Sequence, residues 1–345
     1  MADKPTVTLD ELQGWIGREH GLAGVDAVSR NDIRRKLEVY CFDCPLHDDD
    51  AVARDHGYRG LIAPVAMTAL WAMPAYWSPG EPTIFAPGLR EKAGGLRADL
   101  PTIYSKAVNT ATEWEFFEPL YDGDALEGNW RLVEVKPRET RLGIGAFLTV
   151  ETTIVKKSGE LVAKNRNVLY RYDDKPSDTP KEKRGGRPDA TPAEPPIPVE
   201  ETSAAIDWNR QLRFGDVNIG DVIPPCSMWL SYQRIVMSVA ADRMFAGIHH
   251  NREQARASGF ADIIFNTRGY DLFFEMTLRR WMGLDGRLAK LGPFRMTGSS
   301  YPDDVITCRA RVTEKMPENR VKVELVVVNN RGEAARGEAE VVLPV

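Results

Sequence analysis

A chain of 345 residues with 43% apolar content can fill two ordinary cores. Its formal net charge of −5 gives no electrostatic pull toward nucleic acid or an anionic membrane surface. No apolar run approaches the ~20 residues of a membrane span, and four cysteines (Cys41, Cys44, Cys226, Cys308) are too few for a disulfide framework.

The chain opens MADKPTVTLDELQGW, without a basic region followed by an apolar stretch. The expectation is a chain with no signal peptide, residing in the cytoplasm. NDIRRKLEVY (31–40) reads as a helix, followed by a turn bearing His47 and a short helix carrying Ala53-Arg54. APVAMTALWAMPAYW (63–77) is predicted to form a longer apolar helix. A Tyr121-Asp122-Gly123-Asp124 turn then leads into three predicted strands, 125–138, 142–159 and 160–172, rich in β-branched and aromatic residues.

Residues 174–200 are rich in proline and charge and read as a linker. They divide the chain into arms 1–173 and 201–345. The second arm repeats the scheme: QRIVMSVAADRMF (233–245), a turn with His249, a short helix with Ala255-Arg256, and TRGYDLFFEMTLRRWMG (267–283) as the long helix. A Tyr301-Pro302-Asp303-Asp304 turn leads into three strands, 304–315, 320–332 and 333–345. Each arm is therefore an α+β unit with a helix packed on an antiparallel sheet.

The arms also match residue by residue. LHDDDAVARDHGYRGLI (46–62) aligns with IHHNREQARASGFADII (248–264) at a constant offset of 202 residues. His47 falls on His249, Ala53-Arg54 on Ala255-Arg256, Gly57 on Gly259 and Tyr58 on Phe260. A shared spacing of this kind indicates a duplicated unit.

A histidine turn, A-R-x-x-G-[YF], a long apolar helix and a Y-x-x-D turn into strands together resemble the MaoC-like hot-dog fold. Two such units in one chain resemble the double hot-dog dehydratases and (R)-specific enoyl-CoA hydratases. TEWEFFEPLYDGD (112–124), RLGIGAFLTVET (141–152) and GYRGLIAP (57–64) resemble the N-terminal dehydratase-like domain of that group. FGDVNIGDVIPP (214–225) and the His249 segment resemble its C-terminal MaoC-like domain. The resemblance implies two hot-dog units, each a sheet wrapped around a long central helix. It implies an acyl-CoA ligand whose thioester carbonyl is held at a helix start as an oxyanion site. In the second arm that start falls at Asn266-Thr267, where the family more often has His-Gly. With the repeat glycine Gly259, these are the expected substrate-binding residues.

Hydration of an α,β-unsaturated thioester needs a base for water and an acid for the α-carbon. The family supplies them from a D-x-N-P-[IL]-H segment. The second arm keeps His249 but has Met244 at the Asp position and Ala246 at the Asn position. The first arm keeps Pro45-Leu46-His47, with Phe42 at the Asp position, Cys44 at the Asn position and Asp43 one residue closer to the histidine. The expected catalytic residues are thus His249, with His47 and Asp43 as a second or assisting site.

No metal or redox cofactor is implied, coenzyme A being part of the substrate. Asp48-Asp49-Asp50 reads as a first helical turn, and Cys41/Cys44 as packing residues. The leading reading is a hydro-lyase on an enoyl-CoA or 3-hydroxyacyl-CoA. Trp71, Tyr76 and Trp77 suggest a bulky or long acyl group. Two alternatives stay open. One is a weakly active acyl-CoA-binding subunit of a hetero-oligomeric hydratase. The other is a thioesterase using Asp271 or Glu275 on the central helix. The expected assembly is a homodimer or a hetero-oligomer with another hot-dog protein.

Overall fold

The computed structural model describes residues 7–85, 95–97, 100–101, 103–140, 142–173 and 206–345; the segment 174–200 lies outside the described residues. The first half holds α1 (Leu9–Gln13), β1 (Glu19–Ala27), α2 (Arg30–Tyr40), α3 (Asp50–Asp55), α4 (Thr68–Trp71), β2 (Lys106–Phe116), β3 (Ala125–Glu139), β4 (Ile144–Lys156) and β5 (Leu161–Asp173). The second holds β6 (Val222–Trp229), α5 (Tyr232–Ala241), α6 (Arg252–Ala257), α7 (Thr267–Met282), β7 (Arg287–Met296), β8 (Val305–Met316), β9 (Arg320–Asn329) and β10 (Gly332–Val342).

The strands form one ten-stranded antiparallel sheet in the order β1-β3-β4-β5-β2-β7-β10-β9-β8-β6. Read outward from the β2–β7 seam, both halves have the same order, so the duplication is one of topology. At the seam Thr112 faces Phe294 and Trp114 faces Leu291, with Lys290 Nζ 3.4 Å from Glu113 across it. Four strands escape the sequence reading. β1 and β6 are the sheet's two ends, where Gly21, Gly24, Pro224 and Pro225 cost little ladder bonding. β2 and β7 form the seam itself.

Local chemistry repeats at the same offset. Ser29 caps α2 and Ser231 caps α5; Asp49 caps α3 and Asn251 caps α6, each side chain accepting backbone N–H bonds. The left-handed residues that follow α2 and α5 also correspond, Cys41 (φ 49°) and Arg243 (φ 52°). The Tyr–Asp turns repeat too: Asp124 accepts from Tyr121 N at 2.9 Å, and Asp304 from Tyr301 N at 2.8 Å.

The halves differ in the central helix. α7 runs for 16 residues, capped by Asn266 at its start and followed by Gly283. Gly269 is required there: a Cβ would meet Phe265 at 2.3 Å. In the first half the expected helix over 63–77 is only a single 3₁₀ turn, Val65–Met67, continued by α4. Pro74 explains the stop. It lacks an N–H, its ring clashes with the carbonyl four residues back, and it biases Met73 away from helical backbone. The short helix presses on β1, where a Cβ on Gly24 would lie 2.0 Å from Trp71 O.

The helices α2 and α5 meet across the pseudo-twofold. Lys36 and Ser238 are equivalent positions, as are Tyr40 and Asp242, and they exchange partners. Lys36 Nζ is 2.7 Å from Asp242 Oδ2, and Tyr40 OH is 2.9 Å from Ser238 Oγ, all buried. Burial lowers the Lys36 ammonium, and the adjacent Asp242 charge opposes that shift. Removing one member of such a pair strands the other charge. Lys36→Met should cost about 3–5 kcal/mol in urea unfolding, and the double variant Lys36→Met/Asp242→Leu should recover most of that loss.

Candidate active site

Each histidine sits on a 3₁₀ turn, Pro45–His47 and Gly247–His249, that follows the left-handed residue after α2 or α5. The two rings are held alike. His47 Nδ1 lies 2.8 Å from Ile62 O, and His249 Nδ1 lies 2.8 Å from Ile264 O. A carbonyl only accepts, so Nδ1 carries the proton and Nε2 is left as the acceptor in both rings. Burial lowers both imidazoles, His47 to about 3 and His249 to about 4. Both are neutral near pH 7.

Their surroundings diverge. His47 is 3% exposed, its Nε2 is buried without a hydrogen-bond partner, and the Phe42 ring meets it edge-on at 5.3 Å. His249 is only half-buried, and its Nε2 is not among the sealed, partnerless atoms. A water or substrate atom can therefore meet His249 but not His47.

The helix starts diverge in the same direction. The first N–H groups of a helix have no partner within it. In the first half these belong to Val65 and Ala66, and Glu275 from α7 takes both: Val65 N to Oε1 at 3.0 Å and Ala66 N to Oε2 at 2.8 Å. Glu275 is 1% exposed. In the second half the equivalent groups are those of Thr267 and Arg268. Among the described residues no acceptor meets either; Asn266 Oδ1 serves Gly269 N instead, at 2.9 Å. The first copy of the anion-binding helix start is thus filled by a carboxylate of the protein, and the second stands open.

Asn266 is fixed from behind. Its Nδ2 donates to Asp242 Oδ2 at 3.2 Å, and Asp242 is held by Lys36. Asp242 also acts on His249, its charge favouring the imidazolium. Met244, in the family's Asp position, packs against the core as a partly buried side chain.

The predicted site residues therefore fall into two groups. Asn266 and Thr267 form the second helix start, and His249 is held on Ile264 O, two residues before that cap. His47 is sealed. Asp43 is exposed and turned to Arg280, 3.9 Å away, and does not pair with His47. The shift of one residue toward the histidine does not aim its carboxylate inward. Gly259 has φ 95° and ends α6, with Phe260 N bonding Ala255 O. Its left-handed backbone explains its identity, as at Gly57 (φ 85°). Of the residues outside that prediction, Lys36 gave only an ordinary helical pattern. The sequence points to Glu275 only as a carboxylate on the central helix, and the fold reveals its partners Val65 and Ala66.

Other candidates resolve structurally. Cys44 is buried and its thiol is pushed up to about 12, while Cys41 is exposed. Trp71 is buried and its Nε1 donates to Asp32 at 3.2 Å. No group of three or more His, Cys, Asp or Glu side chains placed to hold a metal occurs among the described residues. No helix among them is long and apolar enough to cross a membrane. Surface concavities of about 300 and 480 Å³ are lined by strand residues such as Glu115, Arg287 and Arg166 and include neither histidine.

A family profile described as "FAS1-like, dehydratase domain region" matches residues 14–165. A "Probable enoyl-CoA hydratase alpha subunit" of Thermomonospora curvata is 31% identical over 175 residues, covering 50% of this chain and 54% of that protein. The chain thus spans about half the length of that relative. A "UPF0336 protein" of Saccharopolyspora erythraea is 31% identical over 157 residues, covering 46% of this chain and 88% of that protein. A solved "MaoC-like dehydratase" superposes with a TM-score of 0.70 at 18% identity, over 97% of this chain and 100% of that one.

Replacing Glu275 tests the sealed helix start. Glu275→Ala leaves two buried N–H groups unpaired and should cost about 2–5 kcal/mol. The Val65 and Ala66 amides should then exchange with deuterium markedly faster. Glu275→Gln, which keeps an acceptor, should show a smaller change in both.

Proposed function

The chain belongs to the MaoC-like hot-dog dehydratase family, and from that premise we propose that it is a hydro-lyase. It adds water to an enoyl thioester of coenzyme A, or removes it from the 3-hydroxyacyl thioester, at the second-half site. The observation that carries this reading is the asymmetry of two like-built sites. Only the second combines a reachable histidine nitrogen with two unpaired helix-start N–H groups.

In hydration, the thioester oxygen accepts from the N–H groups of Thr267 and Arg268. His249 Nε2 takes a proton from water as the hydroxide oxygen bonds to the β-carbon. Charge develops on the thioester oxygen as an enolate, where the two N–H groups and the α7 dipole favour it. The His249 imidazolium then returns its proton to the α-carbon. One histidine serves as both base and acid, in place of the family's Asp–His division. The Asp242 charge assists by stabilising the imidazolium. Coenzyme A enters as part of the substrate, and this chemistry calls for no other cofactor. A homodimer or a hetero-oligomer with another hot-dog chain is the proposed assembly, the name "alpha subunit" of the Thermomonospora curvata relative favouring the second.

Loss of enoyl-thioester absorbance measures the reaction directly. His249→Ala should lower kcat/KM by roughly 10²–10⁴, while His47→Ala stays within about threefold and lowers stability instead. Release of free CoA thiol would mark a thioesterase and contradict the reading.

The pH dependence follows from the depressed imidazole. Because neutral His249 is the base and its pKa lies at about 4, kcat/KM for hydration should be flat from neutral pH downward and fall only as pH drops through about 4. A fall centred near the ordinary histidine value would contradict the proposed role.

A further inference from the structure

The inner face of the sheet changes character at the seam. Register places Thr152, Asn165 and Trp114 in one crosswise row with Leu291, Ala339 and Val323. The second-half side of that row is apolar and α7 covers it. The first-half side carries Thr152 (1% exposed) and Asn165 (3%), in the half whose central helix stops at Trp71.

Two arginines enter this region. Arg97 Nη1 lies 3.4 Å from Thr152 Oγ1 and 3.3 Å from Asn165 Oδ1. Arg268, in the first turn of α7, turns its side chain toward the first half, with Nη1 3.8 Å from Met73 Sδ. A guanidinium has five N–H donors. Among the described residues neither group meets a carboxylate in an ion pair, and neither has a nitrogen among the sealed, partnerless atoms. Their spare donors therefore face accessible space rather than protein.

The charges of Asp242 and Asp271 favour the Arg268 guanidinium, but neither acid forms an ion pair with either arginine among the described residues. Asp242 is taken by Lys36. Asp271 lies beside Trp114 with Oδ1 buried and unbonded, and burial pushes its carboxyl up to about 8 against the charge of Arg268, which favours the carboxylate. The Arg97 guanidinium is lowered to about 10, by burial first and by the charge of Arg268 next. Two like charges held together in a buried region are unfavourable until an anion joins them.

We infer that Arg97 and Arg268 hold a carboxylate at the far end of the acyl chain, so that the substrate is the monothioester of a dicarboxylic acid. This rests on the hydro-lyase reading of the His249 site. The same residue that offers a backbone N–H to the thioester oxygen extends its side chain toward the first half, which sets the path of the acyl chain. A polar pocket end replaces the bulky, ring-lined tunnel expected from Trp71, Tyr76 and Trp77. The phosphates of coenzyme A are the other possible anion, but they belong at the solvent side of a thioester site, and Arg97 lies beneath the sheet.

The test is a series of 2-enoyl-CoAs made at matched lengths, once with a terminal methyl and once with a terminal carboxylate. The wild type should prefer the carboxylate by at least roughly 100-fold in kcat/KM. That ratio should collapse toward unity in Arg97→Met and Arg268→Met, and Arg97→Lys should keep part of it. A wild type that prefers the methyl series overturns the inference. So do variants that lower both series in proportion, the result expected if the arginines serve only the fold or the CoA phosphates. If neither series turns over, calorimetry with the saturated counterparts decides. Tighter binding of the carboxylate, lost in Arg97→Met, keeps the inference and removes the hydro-lyase reading. Equal binding removes the inference.

Discussion

The start of a helix leaves backbone N–H groups that must find an acceptor, and this protein meets that constraint in two ways. In the first half Glu275 fills the role, reaching across from the other half's central helix to Val65 and Ala66. In the second half the equivalent groups of Thr267 and Arg268 meet no acceptor among the described residues. The proposal that the chemistry resides in one half rests on this difference, because the histidines themselves are held by the same bond at the same distance.

The Glu275 contact also ties the two repeats into one working unit. Its carboxylate is carried by the helix whose other end forms the open site. Sealing the first site and positioning the second are therefore consequences of one helix placement. The Lys36–Asp242 pair acts at the opposite end of that relation, joining α2 to α5 and fixing the Asn266 cap from behind. The central helix of the first half stops at Trp71, and the buried Thr152 and Asn165 give that half of the sheet a chemistry distinct from the apolar core under α7.

Much of this was legible from residue order. The offset of 202 between His47 and His249 identified the duplication, and the structure extends it to the caps Ser29/Ser231 and Asp49/Asn251. Strands β3–β5 and β8–β10 announced themselves through β-branched residues. The edge strands did not, because β6 carries Pro224-Pro225 and β1 has an exposed face. The first-half helix was overread because its apolar run hid the effect of Pro74. At the candidate site, spacing singled out His249, whose ring the structure holds on Ile264 O beside the second helix cap. Spacing could not give the direction of Asp43, because one residue of register in an irregular turn reverses a side chain, here toward Arg280. The partners of Glu275 lie about 210 residues away in sequence, a separation at which local pattern carries no signal.

The most direct test of this division of labour is a crystal structure of the protein with a non-reactive acyl-CoA thioether or ketone analogue. The account places the analogue's carbonyl oxygen within hydrogen-bond distance of the Thr267 and Arg268 amides, beside His249, with Glu275 still on Val65 and Ala66. A carbonyl bound at Val65 and Ala66, with Glu275 displaced and His47 opened, would contradict it.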